Sequence, residues 1–317
     1  MRALGRRLGR FVLASLLFGG TFVAAKAGLD YFPPLLFVAL RFDIAAVALL
    51  AYVAVRVPRG AVLPRSAGDV VAILATGVLV IGLSNAFLFV GQQHVTSGVG
   101  AIIFSLNPIL TPVFAMAFLA DERLSHRGAL GLVVGLVGVG LVVQLDPANL
   151  LAGGALWKGV VFAGAVTGAL GTVLIRWADT SLSSTVRTAW ALPVSALLTH
   201  ALSVGAGESV ASVVWTPGAL VALGYVGLLA GAVAYLVYFG LLDDVGPVRG
   251  NLVFYAVPVV ATLGGAALLG ESIPTTALAG FVTIFAGFAV LASESAPDEV
   301  EAWYDTLVSR VVPKDVF

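Results

Sequence analysis

The chain has 317 residues, of which 60% are apolar and only 11% charged, with no cysteine and a formal net charge of zero. A soluble globular domain carries roughly a quarter charged residues, so too few are present to cover a water-facing surface. A mean hydropathy of +1.05 marks a polytopic membrane protein; disulfide and thiol chemistry and a basic nucleic-acid footprint are excluded.

The amino terminus, "MRALGRRLGRFVLASLLFGGTFVAAKAG", combines a basic start, an apolar stretch and a small-x-small site, as a secretory signal does. It reads instead as a first membrane helix held inside by its arginines, for a reason that the repeat supplies below. Crossing about 30 Å of hydrocarbon takes roughly 20 apolar residues. Ten such runs follow in order: 9–28, 34–56, 69–91, 96–120, 126–145, 156–176, 184–204, 217–240, 247–269 and 274–293. Short connections such as "DYFPP", "LDPAN" and "DDVGP" separate several of them. Basic residues gather on one side of this pattern: Arg2, Arg6, Arg7 and Arg10; Arg56, Arg59 and Arg65; Arg123 and Arg127; then Arg176, Arg249, Arg310 and Lys314, with Lys158 the exception. The positive-inside rule places both termini in the cytoplasm.

The run "FVGQQHVTSGVGAIIFSLNPILTPVFAMAFLADERL" aligns with "YFGLLDDVGPVRGNLVFYAVPVVATLGGAALLGESI". Phe89 meets Phe239 and Pro108 meets Pro258; after a one-residue slip Glu122 meets Glu271, Gly131 meets Gly280 and Gly138 meets Gly287. Each half holds five spans. Five is odd, so the second half enters the bilayer in reverse, and loss of span 1 as a leader would break the symmetry. The expected fold is all-α, with ten transmembrane helices in two inverted five-helix repeats around a central cavity. The repeats occupy 1–148 and 149–293; the cytoplasmic tail 294–317 has the spacing of an amphipathic helix. Pro108 and Pro258 fall near the centres of spans 4 and 9. Prolines at that depth interrupt a helix where it borders protein or a wet cavity, so both are candidate hinges.

Three stretches carry a family resemblance: "FGGTFVAAKAGLDYFPPLLFVALRF", "NPILTPVFAMAFLADERLSHRGALGLVVGLVGVGLV" and "AVPVVATLGGAALLGESIPTTALAGFVTIFAGFAVL". The ordered set over two copies resembles the EamA family of the drug/metabolite transporter superfamily, along residues 11 to 293. Two departures are "FGG" at 18–20, where such proteins often have a tryptophan before the glycine, and Asp121-Glu122, where a small residue usually precedes the glutamate. The resemblance implies ten helices around a cavity and movement of small metabolites, frequently outward. It implies no cofactor.

Arg41 lies about 10 Å below the outer boundary at a rise of 1.5 Å per residue. Asn85 sits at a similar depth and Asn107 near the midplane, which makes a polar cluster. The repeat maps Asn85 to Tyr235, Asn107 to Val257 and Arg41 approximately to Trp190. With Tyr255, and with Asn251 nearer the cytoplasm, the other half of the cavity is expected to be aromatic. Such a pocket suits amino acids or related amines and acids. An ionisable intramembrane residue is a functional candidate by default, and the Arg41 guanidinium can hold a carboxylate in two-pronged fashion; the alternative is outward snorkelling or a structural pair. Asp43 points to a different face and is a candidate for proton coupling. Lys26 and Asp30 have the spacing of a paired interface, Gln92, Gln93 and His94 that of a solvated outer turn, and Glu122 and Glu271 that of cap or turn residues. Gly131-x-x-x-Gly135 packs helices closely, within the chain or in a homodimer.

The three histidines, His94, His126 and His200, form no metal-binding motif, with His200 standing alone near the outer end of span 7. No zincin, serine-nucleophile or phosphate-loop motif occurs, so neither an enzyme nor an ATP-driven pump is expected. The partners implied are a small metabolite, the bilayer and, as coupling ion, a proton. The function expected is alternating-access secondary transport across the cytoplasmic membrane, outward; the alternatives are a channel-like or facilitative uniporter, and uptake.

Overall fold

The computed structural model describes residues 2–118, 126–143, 154–245 and 253–292. Glu122, Arg123, Arg249, Asn251 and the tail 294–317 lie outside these. The described residues form ten helices, taken here as spans: α1 (Arg2–Gly28), α2 (Pro34–Arg56), α3 (Ala67–Gln92), α4 (Ser97–Phe118), α5 (His126–Val143), α6 (Gly154–Trp177), α7 (Ser184–Gly205), α8 (Pro217–Val245), α9 (Val253–Leu269) and α10 (Thr275–Ala292). Seven are long and apolar enough to cross a membrane; the apolar stretches of α5, α9 and α10 are shorter.

Starts are set by hydroxyl caps, which accept from amides that the first helical turn leaves orphaned. Thr96, Ser183 and Thr216 cap α4, α7 and α8, and Ser66 forms a reciprocal capping box with Asp69 on α3. Acidic residues reinforce the starts from across the molecule. Glu208, after α7, accepts from the amides of Leu35 and Leu36 at the start of α2. Glu271, after α9, accepts from the amide and hydroxyl of Ser97 on α4. Asp69 accepts from Thr180 and Ser181 in the α6–α7 turn. Each of these carboxylates ties one half of the chain to the other.

The equivalent helices of the two halves lie antiparallel. On α5 and α10, a methyl group on Gly287 would sit 2.5 Å from Gly135 N and 2.6 Å from Gly131 O. One on Gly138 would sit 2.7 Å from Ile284 N and 2.8 Å from Gly280 O. As the residue number climbs along α5, that of its neighbour on α10 falls. The Gly131–Gly135 pattern is thus spent within the chain.

Spans 3 and 8 share a second device. A nine-residue π-helical stretch, Ala75–Leu83 in α3 and Tyr225–Val233 in α8, interrupts each α-helix. In the first, Gly77 abuts Val194 of α7; in the second, Gly227 abuts Ile44 of α2. Ile44 and Val194 are themselves equivalent, so this register pairs Arg41 with Ala191, one residue beyond Trp190.

The two equivalent prolines do different things. In α4 the helix stops at Phe104, turns through Ser105–Leu106 and restarts at Asn107. The Ser105 amide reaches both Ala101 O and Ile102 O, the Leu106 amide reaches Ile103 O, and the Ile109 amide reaches back to Leu106 O. Pro108 therefore occupies a first turn, where no N–H is needed. Pro258 sits inside the unbroken α9 and removes an interior hydrogen bond.

Candidate functional site

Arg41 is carried by α2, and only 4% of it is exposed. It does not snorkel. Its Nη1 donates to Asn85 Oδ1 at 3.1 Å, while Asn85 Nδ2 donates to Ile81 O at 2.8 Å, so the amide is oriented by the π-helical stretch before it. The guanidinium lies 5.1 Å from the Phe42 ring centre and 5.2 Å from that of Phe89, within range of a cation–π attraction. Arg41 Nε is buried without a hydrogen-bond partner. Tyr235, the repeat equivalent of Asn85, lies within electrostatic reach of the same guanidinium. Its ring meets Phe18 of α1 edge-on at 5.4 Å.

Asn107 heads the restarted half of α4, donating from Nδ2 to Phe104 O, while its carbonyl accepts from Thr111. A methyl on Gly168 of α6 would lie 3.0 Å from Asn107 Oδ1 and 3.4 Å from Ser84 Oγ. Asn107 therefore stands beside the residue preceding Asn85, in the same layer. Helices from both halves supply this layer: α2, α3 and α4 the polar groups, α2 and α3 the rings facing the guanidinium, and α1 and α8 further aromatic ones.

Other expected members are placed elsewhere. Trp190 donates its indole N–H to Val62 O, in the α2–α3 connection, at 2.8 Å. Tyr255 is buried with its ring edge-on to Phe285 of α10 at 5.2 Å. Asp43 does face away from Arg41, and His200 is not alone: its Nε2 lies 2.9 Å from Asp43 Oδ2. Finding that pair needs the antiparallel register of α2 and α7, which one sequence does not display. Lys26 feels the charge of Asp30 without a close ion pair; its ammonium donates to Gln92 O at 2.6 Å and Gln93 O at 3.1 Å. Gln92 is not a solvated turn residue either, being fully buried with its Nε2 on Phe22 O. Glu271 is a cap, but of α4 rather than of its own turn. Among the described residues no cluster of three metal-ligating side chains occurs.

Sequence comparisons set this layer in context. The EamA-like transporter family matches twice, over residues 9–144 and 155–293. The chain belongs to the EamA-like transporter family. It is a multi-pass membrane transporter and not an enzyme. Similar proteins include the Escherichia coli (strain K12) uncharacterized inner membrane transporter YedA, 28% identical over 81% of this chain and 81% of that one. The uncharacterized transporter YoaV of Bacillus subtilis is 26% identical over 87% and 93% of the two chains. An uncharacterized transporter of Archaeoglobus fulgidus is 23% identical over 88% and 96%. A crystal structure 24% identical, covering 90% of this chain and 97% of its own, superposes with a TM-score of 0.59 and so shares the fold. The two EamA matches coincide with the two sets of five helices whose first four members and eighth build the Arg41 layer.

Proposed function

We propose that this EamA protein is a secondary transporter of a small organic metabolite, working by alternating access in the cytoplasmic membrane and running outward. The two halves are oppositely oriented around a central cavity, with both termini cytoplasmic. The observation that carries this reading is Arg41: a buried cation, positioned by Asn85 and approached by Tyr235 from the other half. A site assembled from both halves changes its access when they rock. A structural arginine would be expected to find a carboxylate, and among the described residues none pairs with it. The outward direction rests on the family resemblance, and the membrane on the basic pattern and on YedA, an inner membrane transporter.

Flux of a labelled metabolite panel in vesicles containing the purified chain, with and without a pH gradient, tests the reading and the proton as coupling ion. Saturable flux is expected. Arg41→Ala and Asn107→Ala are each expected to cut it by on the order of tenfold or more while leaving insertion intact. Conductance in bursts of many ions per opening would point to a channel instead.

A further inference from the structure

The Arg41 layer carries a positive charge that no acidic side chain among the described residues neutralises. Its contacts are one neutral amide oxygen and two ring faces, a phenol lies within electrostatic reach, and its Nε is buried with no partner. The carboxylate two residues away on α2, Asp43, is held by His200 on another face. Four other acidic side chains near the ends of the spans are engaged: Asp69, Glu208 and Glu271 on helix starts, Asp244 with Arg6 and Arg10. Water can solvate Arg41 while the cavity is open to one side. It cannot when both sides close, and an unpaired charge without water is strongly disfavoured in a low-dielectric interior.

We infer that the missing counter-charge is the solute: a net organic anion with an aromatic or apolar body, carried by one-for-one exchange. This rests on the transporter reading above and narrows it. The anion closes the charge balance, so the loaded carrier occludes and turns over. The empty carrier keeps the bare cation and returns slowly, so export of one anion is completed by entry of another. The walls suit the body of such a solute, since Phe42 and Phe89 face the guanidinium and Tyr235, within its electrostatic reach, packs on Phe18. An amine would place a second positive charge in the layer, and a zwitterionic amino acid would leave the net charge unchanged.

Three probes share one benzyl frame and differ in charge: phenylpyruvate, phenylalanine and phenethylamine. Thermal unfolding of the purified full-length protein at millimolar probe should rise with phenylpyruvate and not with the other two. Arg41→Gln should abolish the shift, and Arg41→Lys should retain part of it. In vesicles, labelled phenylpyruvate uptake should be on the order of tenfold faster when unlabelled phenylpyruvate is inside than when the lumen is empty. Equal uptake into empty and loaded vesicles would overturn exchange. Stabilisation by phenethylamine to the same extent, or by none of the three, would overturn the anionic solute. Saturable flux of an amine would leave the transporter reading standing while this one falls; absence of saturable flux for every solute in the metabolite panel would remove the transporter reading itself. The comparison of the three probes on the unaltered protein stands even where an Arg41 variant fails to fold.

Discussion

Single residues in this protein divide by whether their polar groups find partners inside the chain. Asp43 and His200 satisfy each other, yet 47% and 40% of their side chains remain exposed on a face shared with Val47 and Leu197, which are 71% and 74% exposed. In a chain that spans the bilayer such a face meets lipid, where a lone carboxylate or imidazole is costly. His200→Leu and Asp43→Leu should therefore each destabilise the protein by about 1–3 kcal/mol. The double replacement Asp43→Leu/His200→Leu should cost less than either single change, because no polar group is left behind. Thermal unfolding of the three variants completes the cycle; additive losses would show that the pair is not coupled. The sequence marks Asp43 as an intramembrane acid and His200 as an isolated histidine. Their meeting depends on how two distant helices are paired, and local pattern carries no trace of it. Gln92 shows the same limit: flanked by Gln93 and His94 it reads as a wet turn, but α1 lies over it and the Phe22 carbonyl claims its amide.

At the level of whole elements, composition and caps fix where helices begin, and the ten apolar runs match the ten helices to within a few residues at most ends. Departures inside a helix are less visible. Nothing in "ATGVLVIGL" or "YVGLLAGAV" announces a π-helical stretch; in the fold each carries a glycine packed closely on another helix, Gly77 on α7 and Gly227 on α2. The two prolines look alike in an alignment of the halves and differ in the fold. Pro108→Ala should change stability by about 1 kcal/mol or less, because the helix restarts there and the turn at Ser105–Leu106 is held by other bonds. Pro258→Ala should restore a bond to the Phe254 carbonyl, stabilise α9 by about 1 kcal/mol and slow transport. Paired unfolding and flux measurements separate the two cases; equal effects would argue against distinct roles. The α5–α10 seam gives the sharpest sequence-to-packing link. Gly287→Leu should destabilise by about 1–3 kcal/mol or more, since even a methyl group meets Gly135 and Gly131 backbone there.

For the molecule as a whole, the question is whether its internal antisymmetry is also an antisymmetry across the membrane. Equivalent helices run antiparallel at the glycine seam, and the α2–α7 pair repeats the relation: Glu208 sits at the start of α2, with His200 deeper beside Asp43. Helices that each cross the bilayer and run opposite ways must bring equivalent connections to opposite faces. Two such connections are short exposed turns, Arg59–Ala61 and Val210–Ser212, which overlap at equivalent positions of the two halves. Ala61 and Ala211 are both exposed and 150 positions apart, and the chain has no cysteine of its own. Ala61→Cys should be modified by an impermeant maleimide only from the cytoplasmic side, and Ala211→Cys only from outside, because Arg56, Arg59 and Arg65 cluster on the first connection while the second has no basic residue. Both substitutions replace a small surface side chain and should leave folding within about 0.5 kcal/mol of the parent. Labelling of the two sites from one side would place α2–α3 and α7–α8 connections together, which the antiparallel seam forbids for helices that all span. The shared Arg41 layer would then no longer lie between two oppositely facing halves, and rocking of those halves could not present it to each side in turn.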